Sequence, residues 1–223
     1  VSRWDRLKGF PPLLDAFVRL KQFLRDDPGS LTERHRRCLE LVRLVLAGPD
    51  PDSIADDPEG KGVLDELCAR YRALDAEMQE DVALLTLPMA SRKQNALMVN
   101  ALQRCSTVVV QNSLQEGFGL TATEAMWKRV CVLGTRACGL RHQVRSGIDG
   151  VLVHDPTDPD EIGRRLNDLL EDVPKRDHMA RNAQRHVHDE FLIFTQIWRW
   201  LRELSGCVGA TPRPVRPEGQ ARA

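Results

Sequence analysis

The sequence predicts an α/β fold in which an open, doubly wound parallel sheet carries helices on both faces. Short apolar runs rich in β-branched residues, best developed at 107–111, alternate with stretches of helical periodicity. This alternation is typical of βα units. The chain is 223 residues long, which is enough for one such domain with its own core.

The elements follow one another from the first residue to about residue 204. The segment 1–3 resembles the end of a strand that runs into a loop, and the abrupt start at Val1 leads us to expect a piece of a longer protein. Further strands are expected at 41–47, 82–87, 107–111, 130–133 and 150–153. Helices are expected over 11–25, 63–78, 93–104, 121–128, 159–170, 175–189 and 192–204.

Two segments are expected to lie outside this regular pattern. The polar stretch 26–37 is interpreted as a surface excursion. The tail 206–223 is rich in Pro, Gly and Arg and is expected to be disordered, because it has almost nothing to bury. The folded domain is therefore expected over 1–205.

Composition excludes several classes of partner. Acidic and basic residues balance at 32 each, so no sequence-wide field would attract nucleic acid or an anionic membrane. The six cysteines include no C-x-x-C pair and are interpreted as small buried hydrophobes in a reducing compartment. No stretch has the length and apolarity of a membrane span, and no signal-peptide pattern opens the chain. A cytoplasmic protein is expected.

The segment that follows the 107–111 strand is the candidate functional loop. It carries Gly117 and Gly119, which let a backbone approach a ligand closely, and a helix begins directly after it. The N–H groups at a helix start favour an anion such as a diphosphate. A purely structural alternative has about equal weight on these residues alone, because Thr121 and Glu124 also match a capping box.

A longer motif around this loop changes that balance. Glu116 and Glu124 are separated by seven residues within EGFGLTATEAMWK. Five further segments, before and after this motif, carry the same resemblance in the expected order: SRWDRLKG at 2–9, DDPEG at 56–60, NALMVNALQRC at 95–105, GLRHQV at 139–144 and GIDGVLV at 147–153. Together they resemble the retaining GT-B glycosyltransferases of the family four type, the trehalose glycosyltransferring synthases in particular. The resemblance implies a Rossmann-like C-terminal half that binds a nucleotide-sugar donor.

The resemblance also implies roles for individual residues. Arg3 and Lys8 would hold the donor diphosphate as it gains charge. Glu116 would accept hydrogen bonds from hydroxyls of the transferred glucose, and Glu124 from those of the ribose. The backbone contacts to sugar and phosphate would come from Gly117, Phe118, Gly119, Leu120 and Thr121.

The implied reaction moves glucose from a nucleoside diphosphate to a sugar acceptor, in the first instance glucose, to give trehalose. No metal or other cofactor is expected. An N-terminal acceptor domain, in the same or another chain, would complete the enzyme. Arg141 and His142, interpreted as loop residues, could also reach the site. The donor base (uridine, adenosine or guanosine) stays open.

Three alternatives to a transferase predict different features of the sequence. A binding module or pseudoenzyme would keep the donor pocket without an acceptor domain. A dinucleotide-dependent oxidoreductase should carry a glycine fingerprint after its first strand, which SRWDRLKGF lacks. A glycosidase would need Glu116 and Glu124 to converge on one bond, whereas the pattern places one in a loop and the other in a helix leading away.

Overall fold

The computed structural model describes residues 1–26, 29, 31–54 and 58–207. Within these residues the chain alternates strands with helices, and every strand pair is parallel, as predicted. The strands of this part of the chain are β1 (Leu44–Pro49), β2 (Val82–Leu87), β3 (Val108–Gln111), β4 (Cys131–Thr135) and β5 (Val151–Val153).

The helices of the described ranges surround these strands. They are α1 (Phe10–Asp26), α2 (Glu33–Leu41), α3 (Pro58–Arg72), α4 (Ala76–Glu80), α5 (Arg92–Cys105), α6 (Leu120–Trp127), α7 (Cys138–Gln143), α8 (Pro159–Glu171), α9 (Val173–Glu190) and α10 (Ile193–Cys207). Among them, none has both the length and the apolar character needed to cross a membrane.

The parallel strands form two sheets, whereas one open sheet was expected. β1 pairs with β2, and β4 lies between β3 and β5. The facing strands β1 and β3 border a groove of about 380 Å³ whose walls include Val45 and Val109. The segment expected to be a strand end contributes one backbone hydrogen bond to β1, from Ser2 N–H to the Ala47 carbonyl at 3.0 Å. Among the described residues this segment makes no backbone hydrogen bond to β3, so it does not join the two sheets.

Side chains of β4 alternate between two cores, which explains why helices cover both faces. Cys131 and Leu133 face a core that α1 and α8 share, while Val132 faces a second core built with α6 and α9. Successive side chains of a strand point to opposite faces, so a strand buried on both sides reads as a continuous apolar run. The doubly wound arrangement is thereby confirmed.

Three segments differ from the prediction because apolar periodicity does not mark helix ends. The stretch 26–37 contains the start of α2, where the Thr32 hydroxyl accepts the His35 N–H at 3.2 Å. The strand expected at 41–47 begins only at Leu44, because the preceding apolar residues end that helix. The helix expected over 63–78 is interrupted, since Asp75 caps α4 by accepting the Met78 N–H at 2.7 Å.

The cysteines and the last helix also depart from expectation. All six cysteines are free, but Cys131 is the buried one, whereas Cys105, Cys138 and Cys207 are exposed. They are therefore not uniformly small core residues. The last helix runs to Cys207, and the rest of the tail, 208–223, lies outside the described residues. Asp56 and Asp57 of the DDPEG segment lie outside them as well.

Candidate functional site

A short 3-10 helix, Arg6–Lys8, lies across the carboxyl ends of β1 and β3. The indole N–H of Trp4 donates to the carbonyl oxygen of Pro49 at 2.8 Å, which holds the segment at the end of β1. The Leu114 N–H donates to the Leu7 carbonyl at 2.8 Å, which holds it against the loop after β3. Ligands of open α/β sheets bind at this edge, so the turn brings Lys8 into the expected region.

Gly9 makes the close approach of these two segments possible. Its φ of 61° lies in the left-handed region, and a Cβ there would stand 2.2 Å from the carbonyl oxygen of Asn112. The buried Asn112 amide in turn donates to the Gly9 carbonyl at 3.0 Å. Glycine alone tolerates both the conformation and the contact. Lys8 is thereby fixed beside the loop that carries Glu116.

Glu116 is held through one of its two carboxylate oxygens. Its Oε2 accepts from the Lys8 Nζ at 2.7 Å, the Ser113 hydroxyl at 3.1 Å and the Gln111 amide at 3.3 Å. Its Oε1 has no protein partner within the described residues and is open to solvent. One oxygen is therefore committed to the protein, and the other can accept a ligand hydroxyl.

The Lys8–Glu116 pair is mostly shielded from water, since the exposed fractions of the two side chains are 15% and 13%. An ion pair in such a place is stable only when further hydrogen bonds offset its desolvation, and Ser113 and Gln111 supply them. An ammonium group has three N–H donors, and Lys8 uses one of them on Glu116. The other two are available to an anionic ligand.

The loop from Gly117 to Gly119 leads into α6 without a side-chain cap. Gly119 is the N-cap residue, with a φ of 93°, and no side chain accepts a hydrogen bond from the first turn. Uncapped N–H groups at a helix start attract negative charge. The phosphate site predicted for this backbone stays a prediction, and Gly117 itself is exposed and bounded by open space.

The capping-box interpretation of α6 is wrong. The Thr121 hydroxyl donates to the carbonyl of Val1 at 3.4 Å and does not cap the helix. The exposed Glu124 carboxylate accepts from the side-chain amide of Gln103 at 3.1 Å, so it does not reach back to the helix start. The structural alternative for these two residues therefore loses its basis, and both are available for other roles.

The helix α7 packs against the loop that carries Glu116 and Phe118. The sequence predicted a loop, not a helix, at the position of α7. The Gly139 N–H donates to the Glu116 carbonyl at 2.9 Å, and the buried Gln143 amide donates to the Phe118 carbonyl. Arg141 and His142 lie on this helix and are exposed. The loop prediction is wrong because α7 spans only six residues, too short for a periodic apolar pattern.

Among the described residues, none of the remaining candidate side chains hydrogen-bonds to the Glu116 carboxylate. Phe118 and Leu120 are 46% and 66% exposed, so their side chains are open to a ligand or a partner surface. Arg3 is exposed and makes no ion pair or hydrogen bond with any described residue, unlike Lys8. Within the described ranges, no group of three or more His, Cys, Asp or Glu side chains is arranged to hold a metal ion.

Three polar residues that the sequence did not single out belong to the site. Gln111 and Ser113 are buried and converge on Glu116. A polar residue that ends the otherwise apolar 107–111 run could have indicated Gln111. Gln103 is buried beneath Glu124, and nothing in the helical pattern distinguishes it from an exposed glutamine.

Comparison with known proteins gives a family match and several relatives. A model of the family described as glycosyl transferases group 1 matches residues 1–186. A trehalose synthase from Thermococcus litoralis is 32% identical over 201 residues, which are 90% of this chain and 42% of that protein. A trehalose synthase from Rubrobacter xylanophilus is 38% identical over 194 residues, or 86% and 39%.

Solved structures match over a similar share. The crystal structure of Anabaena Alr3699/HepE in complex with UDP superposes with a TM-score of 0.67 at 24% identity, covering 92% of this chain and 47% of that one. At this identity the likeness concerns the fold alone. The chain thus spans less than half the length of each of these relatives.

Proposed function

The chain belongs to the glycosyl transferases group 1 family, and from that premise we propose that it binds the donor in a retaining glucosyl transfer. The donor is a nucleoside diphosphate-glucose and the acceptor is a sugar, in the first instance glucose, with trehalose as the product. The names of the relatives from Thermococcus litoralis and Rubrobacter xylanophilus support this product. The complex of Anabaena Alr3699/HepE with UDP-glucose supports the class of donor.

The meeting of Lys8 with Glu116 is the observation that supports this proposal most. The two residues are 108 positions apart in the chain, and their side chains form a 2.7 Å hydrogen bond at the carboxyl edge of the sheet. A cation with free donors beside a carboxylate with a free oxygen suits a ligand that is anionic at one end and hydroxylated at the other. A sugar diphosphate has both features.

In the proposed reaction the bond between the glucose anomeric carbon and the phosphate oxygen breaks. The leaving diphosphate gains negative charge, which Lys8, the N–H groups at the start of α6 and Arg3 stabilise. The acceptor hydroxyl attacks the anomeric carbon on the same face, and the leaving phosphate takes its proton. Glu116 orients the glucose through its free Oε1, and no protein nucleophile or metal ion takes part.

The acceptor is proposed to bind mainly outside this chain. The chain covers 42% of the Thermococcus litoralis relative, and acceptor contacts would come from an N-terminal half in the same or another polypeptide. Donor binding without transfer, when such a half is supplied, would instead favour a stand-alone binding module. The transferase and the binding module would therefore share the donor site, and only the transferase would transfer the sugar.

Calorimetric titration with UDP-, ADP- and GDP-glucose tests the donor site directly. We expect saturable binding of one of the three and a loss of about tenfold in affinity for Glu124→Ala, because a carboxylate that accepts two ribose hydroxyls is removed. Glu171→Ala, an exposed glutamate at the end of α8, should bind like the parent chain. No binding by the folded parent chain to any of the three donors would contradict the proposal.

A further inference from the structure

Gln103 connects Glu124 of α6 with Lys128, the residue directly after that helix. Its side chain is 1% exposed and lies near the end of α5. Its amide nitrogen donates to the Glu124 Oε2 at 3.1 Å, and its amide oxygen accepts from the ammonium group of Lys128. The three side chains form the Gln103 bridge, in which a buried amide joins an exposed carboxylate to a half-buried ammonium.

The chemistry of the bridge fixes the amide in one orientation. An ionised carboxylate only accepts hydrogen bonds and an ammonium group only donates them. A flipped amide would set its oxygen against Glu124 and its NH2 group against Lys128, and both contacts would be lost. Since a buried polar group without a partner is unfavourable, both neighbours hold Gln103 in place. Gln103 in turn holds Glu124.

The surroundings of Lys128 strengthen this restraint. Burial lowers the pKa of Lys128, while the nearby Glu124 carboxylate raises it and Arg104 lowers it. A partly desolvated ammonium gains more from a fixed acceptor than an exposed one does. The amide oxygen of Gln103 is therefore a strongly favoured partner, and the bridge is anchored at the end away from Glu124.

We propose that Gln103 is a positioning residue for Glu124 and thereby determines how strongly the site selects a ribose. An exposed glutamate side chain samples several rotamers, and only some of them could meet a vicinal diol. The bridge restrains Glu124 through Oε2 and leaves Oε1, which has no partner among the described residues, for the ligand. This inference rests on the proposed function, because it assumes that the site takes a nucleoside diphosphate.

The test compares UDP with 2′,3′-dideoxy-UDP, or the adenosine or guanosine pair if the donor titrations select that base. The parent chain should prefer the ribose form by about tenfold, and Glu124→Ala should remove the preference. Gln103→Met keeps the shape of the side chain without its hydrogen bonds. It should lower affinity for the ribose form about fivefold and change affinity for the dideoxy form by less than about twofold.

Controls separate positioning from general damage to the fold. Gln94→Met, an exposed glutamine on the same helix, should leave the preference unchanged. The double variant Gln103→Met/Glu124→Ala should bind like Glu124→Ala alone, because the bridge acts only through that carboxylate. An equal loss for both ligands in Gln103→Met, or an undiminished preference, would overturn the inference.

A second variant keeps the inference testable if Gln103→Met does not fold. Lys128→Met removes the anchor at the other end, so it should reduce the ribose preference about twofold and leave the dideoxy affinity unchanged. An unchanged preference in Lys128→Met would count against the bridge. If the parent chain binds none of the diphosphates, the proposed function has failed. If the parent chain prefers the ribose form but Gln103→Met keeps that preference, only the inference about Gln103 has failed.

Discussion

The two glutamates of the motif are held in opposite ways. Glu116 is mostly shielded from water and accepts three donors on one oxygen, one of them the ammonium of Lys8. Glu124 is exposed and is restrained by a single amide from the buried Gln103. The Glu116 carboxylate is therefore held by three donors, and the Glu124 carboxylate by one.

This difference indicates which substitutions should disturb the position of each carboxylate. A shielded group with several donors keeps its geometry at the cost of being sensitive to any change that opens its surroundings. An exposed group with one restraint tolerates changes around it but loses its orientation when that restraint goes. We therefore expect large, cooperative effects around Glu116 and small, selective ones around Glu124.

The largest effect should come from Gly9→Ala. The new Cβ would stand 2.2 Å from the Asn112 carbonyl at a φ of 61°, so the first segment should detach from the loop after β3. We expect the free energy of unfolding to fall by on the order of 3 kcal/mol, measured by urea denaturation. Gly62→Ala in α3, where a Cβ meets open space, should change it by about 1 kcal/mol at most. Equal stability of the two variants would contradict the close approach.

Removing the cation beside Glu116 should weaken donor binding next. Lys8→Met keeps the stem of the side chain but takes away the charge that faces the proposed phosphate, and it leaves Glu116 without its ion-pair partner. We expect affinity for the donor to fall roughly 30- to 100-fold, or about 2 to 3 kcal/mol, in the calorimetric titration. Arg6→Met, from the same turn but paired at 3.6 Å with Glu66, should bind the donor normally. Similar losses in both variants would indicate a general electrostatic effect.

A smaller change tests the uncharged donors of the Glu116 cluster. Ser113→Ala removes the 3.1 Å hydrogen bond that the hydroxyl donates to the carboxylate and the 2.8 Å one that it accepts from the Gln111 amide, while Lys8 stays in place. The free energy of unfolding should fall by about 1 kcal/mol, and donor affinity about fivefold. Ser205→Ala, at a partly exposed position late in α10 where the hydroxyl donates to the Leu201 carbonyl of the same helix, serves as the control. An unaltered affinity in Ser113→Ala would mean that Lys8 and Gln111 hold the carboxylate without the Ser113 hydroxyl.

Alkylation of the cysteines is the mildest test, because it needs no substitution in the chain. It compares a buried thiol with exposed thiols near Gln103 and near Gly139. Burial raises the pKa of Cys131 to about 12, so its reactive thiolate grows only as the pH approaches that value. At pH 8 the thiolate is about one part in ten thousand of this thiol. Cys105 and Cys138 are exposed and lie near Gln103 and Gly139 in the chain. Mass spectrometry after alkylation at pH 8 should find both modified and Cys131 intact; prompt labelling of Cys131 in folded protein would contradict its burial.

Much of the scaffold could be predicted because parallel strands buried on both faces leave a strong apolar signal. The strand at 82–87 matches its predicted bounds, and β3 begins one residue later than expected. Where an apolar run spans two elements, the signal is ambiguous, as at the junction of α2 with β1. Short helices such as α4 and α7 are set by caps and by tertiary contacts, so periodicity could not separate them from their neighbours.

The site was predictable only in part. The motif indicated Lys8, Glu116 and Glu124 as residues of one site, and the structure pairs the first two with each other. Which groups support them depends on contacts between distant segments, as with Gln103 and Glu124, 21 residues apart. A side chain that lies beneath another residue leaves no periodic trace in the sequence. The roles proposed for these three motif residues, for Arg3 and for the Gly117–Thr121 backbone remain predictions.

The docking of the first turn onto the loop after β3 has a consequence for the order of events during synthesis. Lys8 leaves the ribosome 108 residues before its partner Glu116, an interval of roughly 5 to 20 s at typical elongation rates. Throughout that interval the opening segment can form α1 but cannot form the site, because closing so long a loop must await the later strand. A ligand of the proposed site therefore cannot guide the early steps, and can act only after the segment that carries Glu116 has emerged.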